Sequence, residues 1–149
     1  MKILIICTGN SCRSQMAEGF LRSFDPRLEV YSAGTKPEKE VNRFAVSVMK
    51  ESFIDISRQR PSHIAVFQNE NFDIVITVCD HAKEICPIFT GKVNKHIHIG
   101  FTDPADATGT DDEILNVYRT IRDQIKNDFY IFYKQINNGQ LTIDNYINT

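Results

Sequence analysis

Lys2-Ile3-Leu4-Ile5-Ile6-Cys7-Thr8-Gly9-Asn10-Ser11-Cys12-Arg13-Ser14 begins in an apolar run, breaks on Thr8-Gly9-Asn10 and leads into a helical pattern. A short continuous apolar run of this kind reads as a strand buried on both faces of a parallel sheet. From Ser14 to Phe24 the apolar residues Met16, Ala17, Phe20 and Leu21 share one helix face, and Asp25-Pro26 ends the element. A strand that passes through a tight loop into a helix is one βα unit. In sheets built from such units the working residues gather at the carboxyl ends of the strands.

The rest of the chain repeats the alternation. Glu29–Ala33 reads as a strand closed by Gly34-Thr35. Val41–Phe53 reads as a helix, with Val41, Phe44, Ala45, Val48 and Met49 at spacings of three and four. Asp73–Val78 is the clearest central strand, and Ile97–Phe101 is a fourth. Asp111 to about Asn137 is a long helix marked by Ile114, Tyr118, Ile121, Ile125, Phe129, Phe132 and Ile136. Its acidic start, Asp111-Asp112-Glu113, suits the positive end of the helix dipole, and Gly139 can end it. The expected fold is α/β: one open parallel sheet of about four strands with helices on both faces. No repeat, linker or low-complexity block divides the chain, so residues 1–149 read as one domain, with 140–149 a loose polar tail.

Composition agrees and excludes several classes. The chain has 149 residues, of which 42% are apolar, enough for a core without metal or disulfide staples. Its 17 basic and 19 acidic residues give a net charge of −2, with no electrostatic case for nucleic acid or an anionic membrane. Four cysteines are too few for a disulfide scaffold. The first apolar run is too short for a secretory signal or a membrane span. The expectation is a cytoplasmic protein with reduced thiols, acting as a monomer.

Three strand ends carry chemistry. Cys7 follows the first strand, Cys79 follows the strand at 73–78, and Asp103 lies just past 97–101. The loop Thr8, Gly9, Asn10, Ser11, Cys12, Arg13, Ser14 sits at a helix N-terminus, where consecutive N–H groups and the helix dipole favour an oxyanion. Arg13 adds a planar fork for a tetrahedral anion. The same field is expected to lower the pKa of Cys7 and hold it as a thiolate nucleophile. Ser14 is placed to hydrogen-bond that sulfur, and Asn10 to hold the loop's shape. Cys12 reads as a packing residue within the loop. Asp103, beside a bound oxyanion and a thiolate, would have its ionised form disfavoured and so serve as general acid.

Cys7-x5-Arg13-Ser14 at the start of the chain, with Asp103-Pro104 far downstream, resembles the low-molecular-weight tyrosine phosphatase fold. The segment Cys79-Asp80-His81-Ala82-Lys83-Glu84-Ile85-Cys86-Pro87 then separates two families on that fold. It is similar to the thioredoxin-coupled arsenate reductases, as is Gly100-Phe101-Thr102-Asp103-Pro104-Ala105. The resemblance runs from residue 1 to about 137. It implies that the loop binds arsenate or a phosphate-like oxyanion, that Cys7 attacks arsenic and that Asp103 protonates the departing oxygen. Cys79 would next attack Cys7, Cys86 would attack Cys79, and thioredoxin would reduce the resulting disulfide. The 80–85 segment must move for that relay, since bridged Cα atoms lie about 4.4–6.8 Å apart. Some members bind a potassium ion beside the loop, and Asn10, Glu18 and Ser32 match that pattern. One departure is plain: Ile99 stands where a Trp often precedes Gly-Phe, and the chain has no Trp.

Other readings stay open at this level. The same loop, Cys7, Arg13 and Asp103 would serve a phosphatase that forms and hydrolyses a phosphocysteine. An oxyanion- or phosphopeptide-binding module without turnover is a third reading, although a binder needs no general acid. Cys79 and Cys86 could be idle thiols or a zinc half-site, but six residues separate them and no second matched pair follows. His96 and His98 share a strand face, read as partly exposed rather than metal-binding. Arg58 and Arg60 read as loop or surface charges.

Overall fold

The computed structural model describes residues 1–139, and the expected polar tail at 140–149 lies outside them. Strand β1 (Lys2–Cys7) leads to helix α1 (Arg13–Phe24), then β2 (Glu29–Gly34), α2 (Arg43–Glu51), β3 (Asn71–Thr77), β4 (Lys92–His98) and α3 (Asp111–Asn137). Single 3₁₀ turns lie at Ile64–Phe67 and Pro104–Asp106. All strand pairs are parallel, in the order β2-β1-β3-β4, so β1 and β3 are central.

The period-two alternation of strand side chains divides the core. Ile3, Ile5, Ile74 and Ile76 face one side, where they pack with Met16, Phe20, Val48, Ile125 and Phe129 from the three α-helices. Leu4, Ile6 and Val75 face the other, in a cluster that also holds Phe67, Phe72 and Phe89. Full burial of each such side chain contributes roughly 1.5–3 kcal/mol. Both faces are thus covered, as the alternation implies, but unequally. Among the described residues, all three α-helices take the first face, and the second is covered by the Ile64–Phe67 turn and the loop before β4. The asymmetry lies in the connections: the β2-to-β3 connection carries α2 on the first face and then supplies Ile64 and Phe67 to the second, where Phe89 of the β3-to-β4 connection joins them.

Several boundaries shift by one or two residues, β3 for example running Asn71–Thr77 rather than 73–78, and two differences have a clear local cause. Helix α2 starts at Arg43 because the Asn42 side chain caps it, accepting from Phe44 N at 2.8 Å. The fourth strand is Lys92–His98 rather than 97–101. Lys92, Asn94 and His96 are exposed, as expected of an edge strand, and their polarity hides it from a search for apolar runs. Residues 99–101 carry the pairing only a little further, through Ile99 N to Thr77 O and Phe101 N to Val78 O. Among the described residues no helix is long and apolar enough to cross a membrane.

Candidate active site

Cys7 is the last residue of β1, and the turn that follows is shaped by Asn10, which adopts a left-handed backbone at φ 50°. Asparagine tolerates that region better than most residues. Its side chain then fastens the loop. Asn10 Nδ2 donates to Ser14 Oγ at 2.8 Å and to Ser32 Oγ at 2.9 Å, and Asn10 Oδ1 accepts from Ser62 N at 2.8 Å. The carbonyls of Thr8, Gly9 and Ser11 accept from the backbone of Lys36, Glu38 and Asn42. Carbonyls tied outward in this way leave a loop's N–H groups to face inward, the arrangement of an anion nest. Gly34 permits the fit, because a Cβ there would collide with the Thr8 carbonyl. The loop, Lys36, Glu38, Asp103 and Ala105 line a cleft of about 260 Å³.

Cys7 Sγ lies 3.0 Å from Ser14 Oγ and accepts from Asn10 N at 3.2 Å, in the positions expected of both partners. The pKa expectation is reversed in this conformation. Burial pushes the Cys7 thiol up, and it outweighs the lowering by Ser14, Arg13 and the backbone donors. Arg13, one of the lowering groups, is itself already paired. Its guanidinium, 4% exposed, donates to both oxygens of Glu84 at 2.8 and 3.0 Å and to the Phe101 carbonyl at 3.1 Å. Asp103 is also 3.3 Å from Arg13 Nη2. Cys12 is buried with its Sγ 3.4 Å from the Tyr118 hydroxyl, which fits a packing role, and burial pushes its thiol up to about 11.

Cys7, Arg13 and Asp103 therefore meet in one cleft. Cys79 is buried just past β3 and forms a disulfide with Cys86, the two Cα atoms 5.7 Å apart. It lines an adjoining cleft with Asp80, His81, His98 and Phe101, not the cleft of Cys7. Alternation along β3 explains this. Ile74, Ile76 and Val78 face the side of Cys7, so the next residue turns the other way. The residues matched to a potassium site have other partners. Glu18 pairs with Arg22 at 3.2 Å, and Asn10 and Ser32 bond each other. Arg58 and Arg60 are exposed, as expected.

Sequence reasoning passed over Glu84, Gln15 and Ser62. Gln15 Nε2 donates to the Asn10 carbonyl at 2.9 Å, and Gln59 Nε2 in turn donates to Gln15 Oε1 at 2.7 Å. Glu84 lies 71 residues from Arg13 in a charged segment, and no spacing rule connects the two.

Residues 2–141 match the family model described as low molecular weight phosphotyrosine protein phosphatase. The arsenate reductase of Halalkalibacterium halodurans is 46% identical over 124 residues, 83% of this chain and 88% of that protein. A solved arsenate reductase in a phosphate-binding state superposes with a TM-score of 0.69 at 31% identity, over 91% of this chain and 98% of that one. A thioredoxin-dependent arsenate reductase of Corynebacterium glutamicum shares the fold, with a TM-score of 0.64 at 23% identity, over 93% of this chain and 63% of that one. The strand-end cysteine, its oxyanion loop and the surrounding sheet thus have one source: the chain belongs to the low molecular weight phosphotyrosine protein phosphatase family, beside its arsenate reductase members.

Proposed function

We propose that the chain reduces arsenate to arsenite with three of its cysteines and is regenerated by thioredoxin. The observation that carries the reading is the Cys79–Cys86 disulfide beside a cleft that holds a free Cys7, Arg13 and Asp103. A phosphatase mechanism needs no such pair.

Arsenate enters the Thr8–Ser14 loop, where N–H groups and Arg13 bind its oxygens. Arg13 must first release Glu84. The incoming dianion does not itself lower the Cys7 pKa; the Ser14 hydroxyl, loop N–H groups and a freed Arg13 hold the thiolate. Cys7 Sγ attacks arsenic, and Asp103 donates the proton with which one oxygen leaves as water. Cys79 thiolate then attacks Cys7 Sγ. The As–S bond breaks with its electron pair going to arsenic, so arsenic(V) becomes arsenic(III) and two thiols become the Cys7–Cys79 disulfide. Cys86 attacks Cys79, frees Cys7 and leaves Cys79–Cys86 for a dithiol donor such as thioredoxin. The 80–86 segment must swing to bring Cys79 against Cys7, and its exposed, charged residues suit such motion. Asn10 and Ser32 serve as loop scaffold rather than cation ligands. Every group in the scheme comes from one chain, so a monomer suffices, and a reducing cytoplasm suits the free thiols.

The test follows thioredoxin-coupled NADPH consumption with arsenate, and aryl phosphate hydrolysis, for wild type, Cys79→Ser and Cys86→Ser. Sustained reductase turnover is expected in wild type and in neither variant. Turnover that survives both substitutions removes the relay. Efficient aryl phosphate hydrolysis without arsenate-dependent oxidation would favour the phosphatase.

A further inference from the structure

Four donor side chains that the sequence keeps apart meet beside the relay segment. The sulfurs of Cys79 and Cys86 and one ring nitrogen from each of His81 and His98 all lie within 4.8 Å of one another. Cys79 follows β3, His81 and Cys86 lie on the connecting segment, and His98 ends β4. The pairing of β4 beside β3, with His98 opposite Thr77, supplies what the cysteine spacing lacked. His98 is also oriented. Its Nδ1 lies 2.7 Å from Thr77 Oγ1, which leaves Nε2 as the free donor. Gly100 leaves room there, since a Cβ at that position would lie 2.6 Å from His98 Nε2. His81 Nε2 is 4.0 Å from Cys86 Sγ, and the two imidazole rings are 3.7 Å apart. Cys79 is buried and His81 exposed, so the cluster opens to solvent at one end.

We propose that the reduced chain binds one zinc ion through Cys79 Sγ, Cys86 Sγ, His81 Nε2 and His98 Nε2. Two thiolates and two imidazoles are a zinc donor set, and tetrahedral bonds of about 2.3 Å to sulfur and 2.0–2.1 Å to nitrogen place donors about 3.3–3.8 Å apart. Side-chain adjustments on the order of 1 Å close the present cluster to that geometry. Thr77 is a positioning residue that fixes the His98 tautomer, as hydrogen bonds behind metal-bound histidines do. The disulfide form cannot ligate in this way. A dithiol reductant first delivers two electrons and two protons, giving two thiols. Zinc then displaces both thiol protons to solvent, with no change in its own oxidation state. Zinc and the Cys79–Cys86 disulfide are therefore mutually exclusive. If the relay operates as above, bound zinc withholds both of its later thiols while the Cys7 cleft stays open to oxyanion. That consequence rests on the relay; the binding does not.

The test titrates reduced, chelator-stripped full-length protein with Co²⁺. One equivalent should produce the visible ligand-field and thiolate charge-transfer bands of tetrahedral cobalt, and one equivalent of Zn²⁺ should bleach them. Two protons should be released per metal at a pH below the thiol range. The disulfide form should give no bands. His81→Ala and His98→Ala should each weaken binding at least tenfold, and Thr77→Val by about tenfold. A Cys7→Ser/Cys12→Ser double variant should keep the bands. The site is refuted by a six-coordinate cobalt spectrum or by unchanged affinity in both histidine variants. Loss of the bands in the Cys7→Ser/Cys12→Ser protein would refute it as well. Arsenate turnover plays no part in this readout, so failure of the relay and failure of the metal site are distinguishable.

Discussion

Arg13 is gripped by two carboxylates before any oxyanion arrives. Glu84 holds both terminal nitrogens of the Arg13 fork, the donors a tetrahedral anion would need, and Asp103 stands beside it. In the disulfide form Glu84 thus competes with substrate. Glu84→Gln should raise the affinity of the oxidised protein for inorganic phosphate about tenfold, a difference of about 1.4 kcal/mol readable by calorimetry. Unchanged affinity would mean that Glu84 leaves Arg13 without cost. Glu18 makes a second residue-level prediction. Burial raises its carboxyl pKa to about 7, and Arg22 offsets only part of that. A folded pKa above the unfolded value means that the folded state holds its proton more tightly. The stability is present below about pH 4.5 and lost as pH rises towards 7, on the order of 3 kcal/mol. Glu18→Gln should flatten denaturation midpoints across that window, and an unaltered slope would contradict the assignment. At this scale Cys7, Asn10, Arg13 and Ser14 were legible, because their chemistry is confined to one loop. Ser62 and Glu84 were not, since each reaches the site from more than fifty residues away.

Whether an element could be read depended on how much of its surface is buried. Helix α3 is legible along its full length because Tyr118, Ile121, Ile125, Phe129 and Phe132 form a continuous apolar stripe against α1 and α2. Its start is held by a capping box, with Glu113 N donating to Thr110 Oγ1 and Thr110 N donating to Glu113 Oε1. Thr110→Ala should cost about 1 kcal/mol in urea unfolding without changing the active-site thiols. A neutral result would mean that helix packing alone sets that boundary. Strand β4 was misplaced for the opposite reason. It is an edge strand, so it needs little apolar surface, and the apolar Ile97–Phe101 stretch is mostly the turn leaving it. The same misplacement concealed His98 as a neighbour of Thr77 and Cys79.

Across the whole molecule, the carboxyl ends of β1, β3 and β4 bring an oxyanion loop and a pair of cysteines to one edge of the sheet, as the alternation of strands and helices implies. They occupy adjoining clefts rather than one, with Arg13, Glu84 and Phe101 linked by hydrogen bonds beside them. Sequence periodicity reports which face a residue takes, but not which of two clefts a cysteine lines after its strand ends. In the proposed relay Cys79 crosses from one cleft to the other to collect the oxidation from Cys7. The most direct measurement is a single turnover of reduced Cys86→Ser with arsenate, followed by thiol blocking and peptide mass mapping. One equivalent of arsenite and a trapped Cys7–Cys79 disulfide are the result expected. Arsenite release without that linkage, or no arsenite at all from a folded, fully reduced protein, would contradict it.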